Sequence, residues 1–285
     1  MTMYDDILVP TDGRPGTAGA VSRALDLGRT FDARIHALFV ADAAVETVAG
    51  SDELAAVQRG LGEAAVDAIA DRAAEFDVPA EVATRAGRVH EAILDYVDEV
   101  DIDLVVMGTR GRSGLPHLGS STQRVLARAA VPVMVVRLES PDLAPGLGMY
   151  DRVVVATDGS DTAERAFEHG LGIAERYGAD LRVIYVVDTT TYGLADAPRS
   201  IVGILKEGGQ TAARELVEAA EGRQVPASFA VLRGVPEDAI LQYATGAEAD
   251  LLAMGVRGVG VSEPFLGSTA ARVVRSARMP VLTVG

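Results

Sequence analysis

The first half of this sequence is written again in the second half, and no other feature limits the fold so tightly. Asp6-Ile-Leu-Val-Pro-Thr-Asp-Gly13 returns as Arg152-Val-Val-Val-Ala-Thr-Asp-Gly159. Gly87-Arg-Val-His-Glu-Ala-Ile-Leu94 returns as Gly234-Val-Pro-Glu-Asp-Ala-Ile-Leu241, and Asp103-Leu-Val-Val-Met-Gly108 as Asp250-Leu-Leu-Ala-Met-Gly255. Leu118-Gly-Ser-Ser121 is matched by Leu266-Gly-Ser-Thr269, and Val131-Pro-Val133 by Met279-Pro-Val281. The offset is 146 at Asp12/Asp158, 147 at Gly108/Gly255 and 148 at Gly119/Gly267. Blocks that keep one order and drift by so little mark a duplicated structural unit. The Pro- and Gly-rich stretch from Leu138 to Met149 reads as the connector. The expected organisation is a domain over 1–138, a linker over 139–149 and a second domain over 150–285.

Within each half, strand and helix patterns alternate. Ile7-Leu-Val9 and Val153-Val-Val155 are short, continuously apolar runs ending at a turn, as strands buried on both faces do. Helical segments follow over 16–30 and 161–177, then strands over 35–40 and 181–187. Long helices over 51–75 and 201–221 lead to third strands over 80–85 and 227–232. A helix carrying Ala92-Ile-Leu94 or Ala239-Ile-Leu241 precedes the fourth strand, at 104–107 or 251–254. A Gly-rich loop, a helix and a last strand at 133–136 or 281–284 complete each half. Alternation of this kind implies right-handed crossovers and a parallel sheet covered on both faces. The expected fold is α/β: two doubly wound parallel-sheet domains, each binding any ligand at the carboxyl ends of its strands.

Two places in each half sit where such a sheet takes its ligand. Thr11-Asp12-Gly13 and Thr157-Asp158-Gly159 directly follow the first strand, where a carboxylate suits ribose hydroxyls or a metal and Gly permits a tight turn. An Asp in that position also serves simply to cap the next helix. The loop after the fourth strand reads Gly108-Thr-Arg-Gly111 to Gly119-Ser-Ser121, and Gly255-Val-Arg-Gly258 to Gly267-Ser-Thr269. Its glycines expose main-chain N–H groups, and Gly119 opens a helix whose N-terminal amides and partial positive charge suit phosphate. Ser120, Ser121, Ser268 and Thr269 add hydroxyls, while Arg110 and Arg257 are placed to pair with phosphate oxygens. Glycines in ordinary turns give the same pattern when taken alone.

Charge and composition exclude much else. The net charge is −15, which repels nucleic acid and anionic lipid and argues against either as a partner. Lys206 is the sole lysine and no P-loop surrounds it, and without Cys there is no disulfide, thiolate nucleophile or Cys-ligated zinc. No apolar run is long enough to span a membrane and the sequence does not begin like a signal peptide, so a soluble, cytoplasmic chain is expected. Acid excess with so little Lys also resembles proteins of halophilic cytoplasm. His36, His90, His117 and His169 are scattered without zinc-ligand spacing and read as surface or packing residues, with loop-borne His117 the one of interest. Glu91 and Glu237-Asp238 suit the helix dipole, and Met107 and Met254 suit the core.

The combination resembles the universal stress protein family, and the resemblance covers both halves. Thr-Asp-Gly after the first strand, the Asp-Leu-Val-Val-Met-Gly strand, then Gly-x-x-Gly and Gly-Ser/Thr carry it. It implies a five-stranded adenine-nucleotide-binding fold of the alpha hydrolase-like kind, with ATP or AMP as ligand, with or without magnesium. On that likeness Asp12 and Asp158 match the acid near ribose and phosphates, and Val40 and Val186 the residue whose backbone reads adenine. Met107, Gly108, Met254 and Gly255 match the strand end beside the nucleotide. Gly111, Gly119, Ser120 and Ser121, with Gly258, Gly267, Ser268 and Thr269, match the phosphate grip. It also implies an internal pseudo-dimer of the halves through Val133–Val136 and Val281–Val284, and leaves open whether two chains pair as a homodimer.

One departure stands out. The family's nucleotide binders usually place nine residues between the second and third glycines, whereas 112–118 supply seven and 259–266 eight. At about 3.3–3.6 Å per extended residue, the shorter loops lose reach, and a triphosphate is harder to accommodate. Half one offers Arg110, Arg112 and His117, while half two keeps Arg257 and adds Glu263, so half one is expected to bind nucleotide the better. The expected function is non-enzymatic, nucleotide-dependent stress signalling or partner binding. The alternatives are slow ATP hydrolysis and a scaffold that has lost nucleotide.

Overall fold

The computed structural model describes residues 3–42, 52–109, 118–137, 149–188, 199–258 and 265–285. The chain divides into two compact units, Met1–Leu147 and Gly148–Gly285. Of the expected linker, only Met149 lies among the described residues. No helix among them is long and apolar enough to cross a membrane.

Unit one runs β1 (Asp6–Thr11), a 3-10 turn (Pro15–Thr17), α1 (Ala18–Phe31), β2 (Arg34–Asp42), α2 (Asp52–Glu75) and β3 (Ala80–Gly87). It continues through α3 (Val89–Val100), β4 (Leu104–Gly108), α4 (Ser120–Arg128) and β5 (Val133–Val136). Unit two repeats this as β6 (Arg152–Thr157), α5 (Asp161–Tyr177), β7 (Asp180–Asp188), α6 (Arg199–Gly222) and β8 (Ala227–Gly234). It ends with α7 (Pro236–Gly246), β9 (Leu251–Gly255), α8 (Ser268–Ser276) and β10 (Val281–Val284). All pairings within unit one are parallel, in the order β3-β2-β1-β4-β5. Unit two has the equivalent order β8-β7-β6-β9-β10. Each unit is therefore a doubly wound α/β domain. Its strand order reverses between the first and fourth strands, which opens a crevice at their carboxyl ends.

The central strands are apolar because both faces are covered: Ile7, Leu8, Val9, Val153, Val154 and Val155 have no exposed surface. The repeat extends to packing. Tyr4 meets Phe31 edge-on with centroids 5.1 Å apart, and Tyr150 meets Tyr177 likewise at 4.9 Å. Asp103 Oδ2 accepts from the amides of Asp5 and Asp6 at 2.7 and 3.0 Å, and Asp250 Oδ2 from those of Asp151 and Arg152, both at 2.9 Å. The acid that opens the fourth-strand block thus ties that strand to the first.

Two differences between the units bear on the crevices. Arg34 N donates to Asp5 O, so even-numbered residues of β1 turn their main-chain groups toward β4. At Pro10 there is no N–H to give, and the β1–β4 register stops at Leu8↔Val105. Unit two has Ala156 in that place, and its ladder runs on to Ala156↔Met254. The second difference is at the first helix. The sequence reading starts it at residue 16, but α1 begins at Ala18, after a 3-10 turn in which Thr17 N donates to Arg14 O at 3.1 Å. Unit two has Ser160-Asp161-Thr162 where unit one has Arg14-Pro15-Gly16, and α5 starts at Asp161 with Ser160 accepting from Ala163 N.

Candidate functional site

The turn after the first strand is built identically in both units. Gly13 N donates to Thr11 Oγ1 at 3.1 Å and Arg14 N to Asp12 Oδ1 at 3.2 Å. Gly159 N donates to Thr157 Oγ1 at 3.1 Å and Ser160 N to Asp158 Oδ1 at 3.0 Å. Gly13 and Gly159 have φ of 74° and 79°, a conformation that costs side-chain-bearing residues energy. Neither Asp caps a helix: Thr17 and Ser160 occupy those positions. The turn uses one carboxylate oxygen of each Asp and leaves the other. Among the described residues Asp12 Oδ2 is buried without a hydrogen-bond partner, and Arg14 Nε stands 3.7 Å from it. A methyl group placed on Gly258 would stand 2.8 Å from Asp158 Oδ2, so the second-unit acid lies directly against the Gly-rich loop.

The second strand runs past the first. β1 pairs with β2 as far as Thr11↔Phe39, while β2 and β3 stay paired to Asp42↔Gly87. Arg34 N bonds Asp5 O and Ile35 N bonds Pro79 O, so even-numbered residues of β2 direct their main-chain groups to the β1 side. Val40 is one of them, one residue beyond the end of the register. Val186 stands equivalently, since β6–β7 pairing ends at Thr157↔Tyr185.

At the fourth strand, Met107 and Met254 are buried beside Gly108 and Gly255. The loop is closed at its base by one residue in each unit. Thr109 N donates to Val136 O and Thr109 O accepts from Gly119 N, both at 2.9 Å; Val256 makes the same two bonds with Val284 O and Gly267 N, again at 2.9 Å. Thr122 Oγ1 adds a bond to Gly108 O at 3.2 Å. Gly119 and Gly267 are the N-caps of α4 and α8 and have no side chain with which to satisfy the first amides. Ser120 and Ser268 open those helices as exposed residues, and Ser121 and Thr269 are half-buried. Arg257 and Gly258 are described; Arg110, Gly111, Arg112, His117 and Glu263 lie outside the described residues.

Sequence reasoning passes over Thr162. Its Oγ1 donates to Arg257 O at 2.7 Å, joining α5 to the loop after β9. Tyr185 is also unanticipated: its ring covers Gly209, and burial first and the Asp158 carboxylate second raise its phenol's pKa above the usual value. The histidines among the described residues are packing groups. His36 is fully buried between Asp6 Oδ1 at 2.8 Å and Tyr96 Oη at 3.0 Å. Burial, reinforced by Arg124, lowers the pKa of His90, and burial with Arg165 pushes His169 down to about 4. Glu237 goes beyond a dipole role, because it is buried and ion-paired to Arg272 on α8. Among the described residues no group of three acidic or imidazole side chains is gathered to hold a metal.

The sequence profile of the Universal stress protein family matches residues 3–137 and 149–285. A universal stress protein of Methanocaldococcus jannaschii is 38% identical over 143 residues, 49% of this chain and 84% of that protein. One from Thermus aquaticus is 38% identical over 138 residues, 48% of this chain and 99% of that protein. Among solved structures, a universal stress protein from Archaeoglobus fulgidus covers 99% of this chain and 97% of its own, with a TM-score of 0.77 and 25% identity. A functionally unknown protein from Pseudomonas aeruginosa covers 99% of this chain and 92% of its own at a TM-score of 0.68 and 17% identity, a likeness of fold alone. With one profile match on each unit, the chain belongs to the universal stress protein family as a tandem member.

Proposed function

We propose that this chain binds an adenine nucleotide, ATP or AMP, at the carboxyl-end crevices of its sheets and acts in the cytoplasm as a nucleotide-dependent signalling or partner-binding protein of the stress response. The observation that carries this reading is Asp12 Oδ2, a buried carboxylate oxygen with no hydrogen-bond donor among the described residues. Such an atom is costly unless a donor satisfies it. A ribose hydroxyl is a donor of the right kind. The main-chain groups of Val40 offer an edge for the base, and the uncapped first amides of α4, with Ser120 and Ser121, offer a cradle for phosphate. Asp158, Val186 and the α8 terminus repeat the set, with Arg257 and Gly258 alongside. Asp12 or Asp158 by itself would suit magnesium only as a companion of nucleotide phosphates, because that ion needs more oxygens than one Asp supplies.

The reading is non-enzymatic: nucleotide occupancy changes partner affinity to the extent that ligand binds two states differently. Full-length protein purified natively, then denatured, is expected to release AMP or ATP detectable by mass spectrometry. Calorimetric titration should find Asp12→Asn weakened by roughly tenfold or more, the loss of one charge-assisted hydrogen bond. Adenylates that neither co-purify nor titrate would end the proposal. Phosphate release abolished by Asp12→Ala would instead favour the slow ATPase.

A further inference from the structure

We propose that Thr162 is a positioning residue for phosphate in unit two, setting the Arg257–Gly258 peptide before nucleotide arrives, and that Gly16, at its place in unit one, has no hydroxyl to do the same. The inference rests on the nucleotide reading above and concerns its phosphate end. Thr162 has one hydroxyl proton, and Arg257 O, a pure acceptor 2.7 Å away, takes it. The contact to Ser160 Oγ at 3.1 Å must then be a donation from Ser160 to Thr162, while Ser160 Oγ accepts from Ala163 N at 3.3 Å. Ser160 N donates in turn to Asp158 Oδ1 at 3.0 Å, and the other oxygen of Asp158 abuts Gly258. These contacts form a closed circuit from the ribose-side acid, through the first turn of α5, to the loop and back.

Gly255 makes room for the circuit. A methyl group there would lie 2.5 Å from Thr162 Oγ1 and 3.0 Å from Thr162 Cβ, so the threonine fills the space at the strand end and reaches the loop carbonyl from it. A carbonyl held in this way fixes the peptide between Arg257 and Gly258, and with it the direction of the Gly258 N–H that the anion would meet. Fixing that peptide beforehand removes an ordering cost from binding. In unit one Gly16 stands at the place of Thr162 and has no hydroxyl. Its neighbours Arg14 and Pro15 replace Ser160 and Asp161, and the α-turn is a 3-10 turn. There the only threonine of that turn, Thr17, bonds locally to Arg14 O at 2.8 Å.

The test uses the full chain in an Asp12→Asn/Ser120→Glu background, which silences unit one, with calorimetric titration of adenosine, AMP and ATP. Thr162→Val keeps the shape and removes the hydroxyl; Thr162→Ser keeps the hydroxyl. Thr162→Val is expected to weaken AMP and ATP by about tenfold, the worth of one hydrogen bond, and to leave adenosine unchanged. Thr162→Ser should stay close to the parent, and amide exchange at Val256–Gly258 should quicken in the Val variant alone. Equal affinities in both variants would overturn the role of Thr162 and leave nucleotide binding intact. A loss shared by adenosine would overturn it too, as a general effect on the fold. Wild-type protein that binds none of the three ligands removes the nucleotide reading and this inference with it.

Discussion

Phe39 lays its ring on α2 at Gly62, where the helix has no side chain to block it. A methyl group on Gly62 would come within 2.2 Å of that ring, and one on Gly209 within 2.4 Å of the ring of Tyr185 in unit two. Two residues before Gly62, Gly60 faces open space. Alanine therefore acts in opposite directions along one helix. Gly62→Ala is expected to destabilise by about 1–3 kcal/mol through overpacking, and Gly60→Ala to stabilise by about 0.5–1 kcal/mol through helix propensity. Urea unfolding of the two variants checks both signs. His169 supplies a pH test at the same scale. Its folded pKa of about 4 lies below the ordinary imidazole value of 6.5, so the unfolded chain binds more protons between those limits. Its contribution favours the folded state above pH 6.5 and is lost as pH falls toward 4. His169→Gln should thus lose less stability than wild type over that window; parallel curves would show that the imidazole is not driving the change.

At the scale of elements, the units also differ where α3 and α7 meet the following helix. Glu237 on α7 pairs with Arg272 on α8. His90 and Arg124 hold the same positions in unit one, and there the two groups repel whenever the imidazole is charged. His90→Glu is expected to install the missing pair and to raise stability by up to about 1 kcal/mol, with the gain fading at high salt; a double cycle with Arg124→Ala would measure it. Element order was readable in the sequence because apolar runs such as Ile7-Leu-Val9 and Val153-Val-Val155 recur in step with turn residues. The turn and the Gly-rich loop at the strand ends stand out too, as the two places where Asp12 and Gly119 interrupt that pattern. What the pattern does not encode is how a single residue ends a ladder or a helix. The apolar run ends at Val9, yet β1 continues through Pro10 to Thr11 while the β1–β4 register stops at Leu8, and Gly16 reads as the start of a helix that begins at Ala18. Thr162 is invisible for a related reason: its partner Arg257 is 95 residues away, and a side-chain-to-carbonyl bond leaves no periodic trace. Asp250 shows the intermediate case, where repetition flags the residue and only the fold reveals its grip on two amides.

The molecule as a whole carries a charge of −15, and that charge is not matched by a cationic counterweight within it. Acidic and basic side chains number 41 and 26, so even complete pairing would leave the surplus facing solvent. Among the described residues the ion pairs are mostly exposed, as with Arg34–Glu81 and Arg85–Glu99, and each is worth little in water. Self-repulsion of the surplus therefore opposes the folded state, most strongly where salt is dilute. The Debye length falls from about 10 Å at 0.1 M to about 3 Å at 1 M, shorter than the spacing between most surface charges. Raising potassium chloride across that range is expected to raise the thermal midpoint steadily. Repeating the series after replacing several exposed acids by Gln separates screening from a general salting-out of apolar surface. If repulsion governs, the neutralised variant starts higher and gains less from salt. If the wild type and that variant gain equally, ion exclusion rather than charge sets the response, and the acidic surface has no role in how this fold is held together.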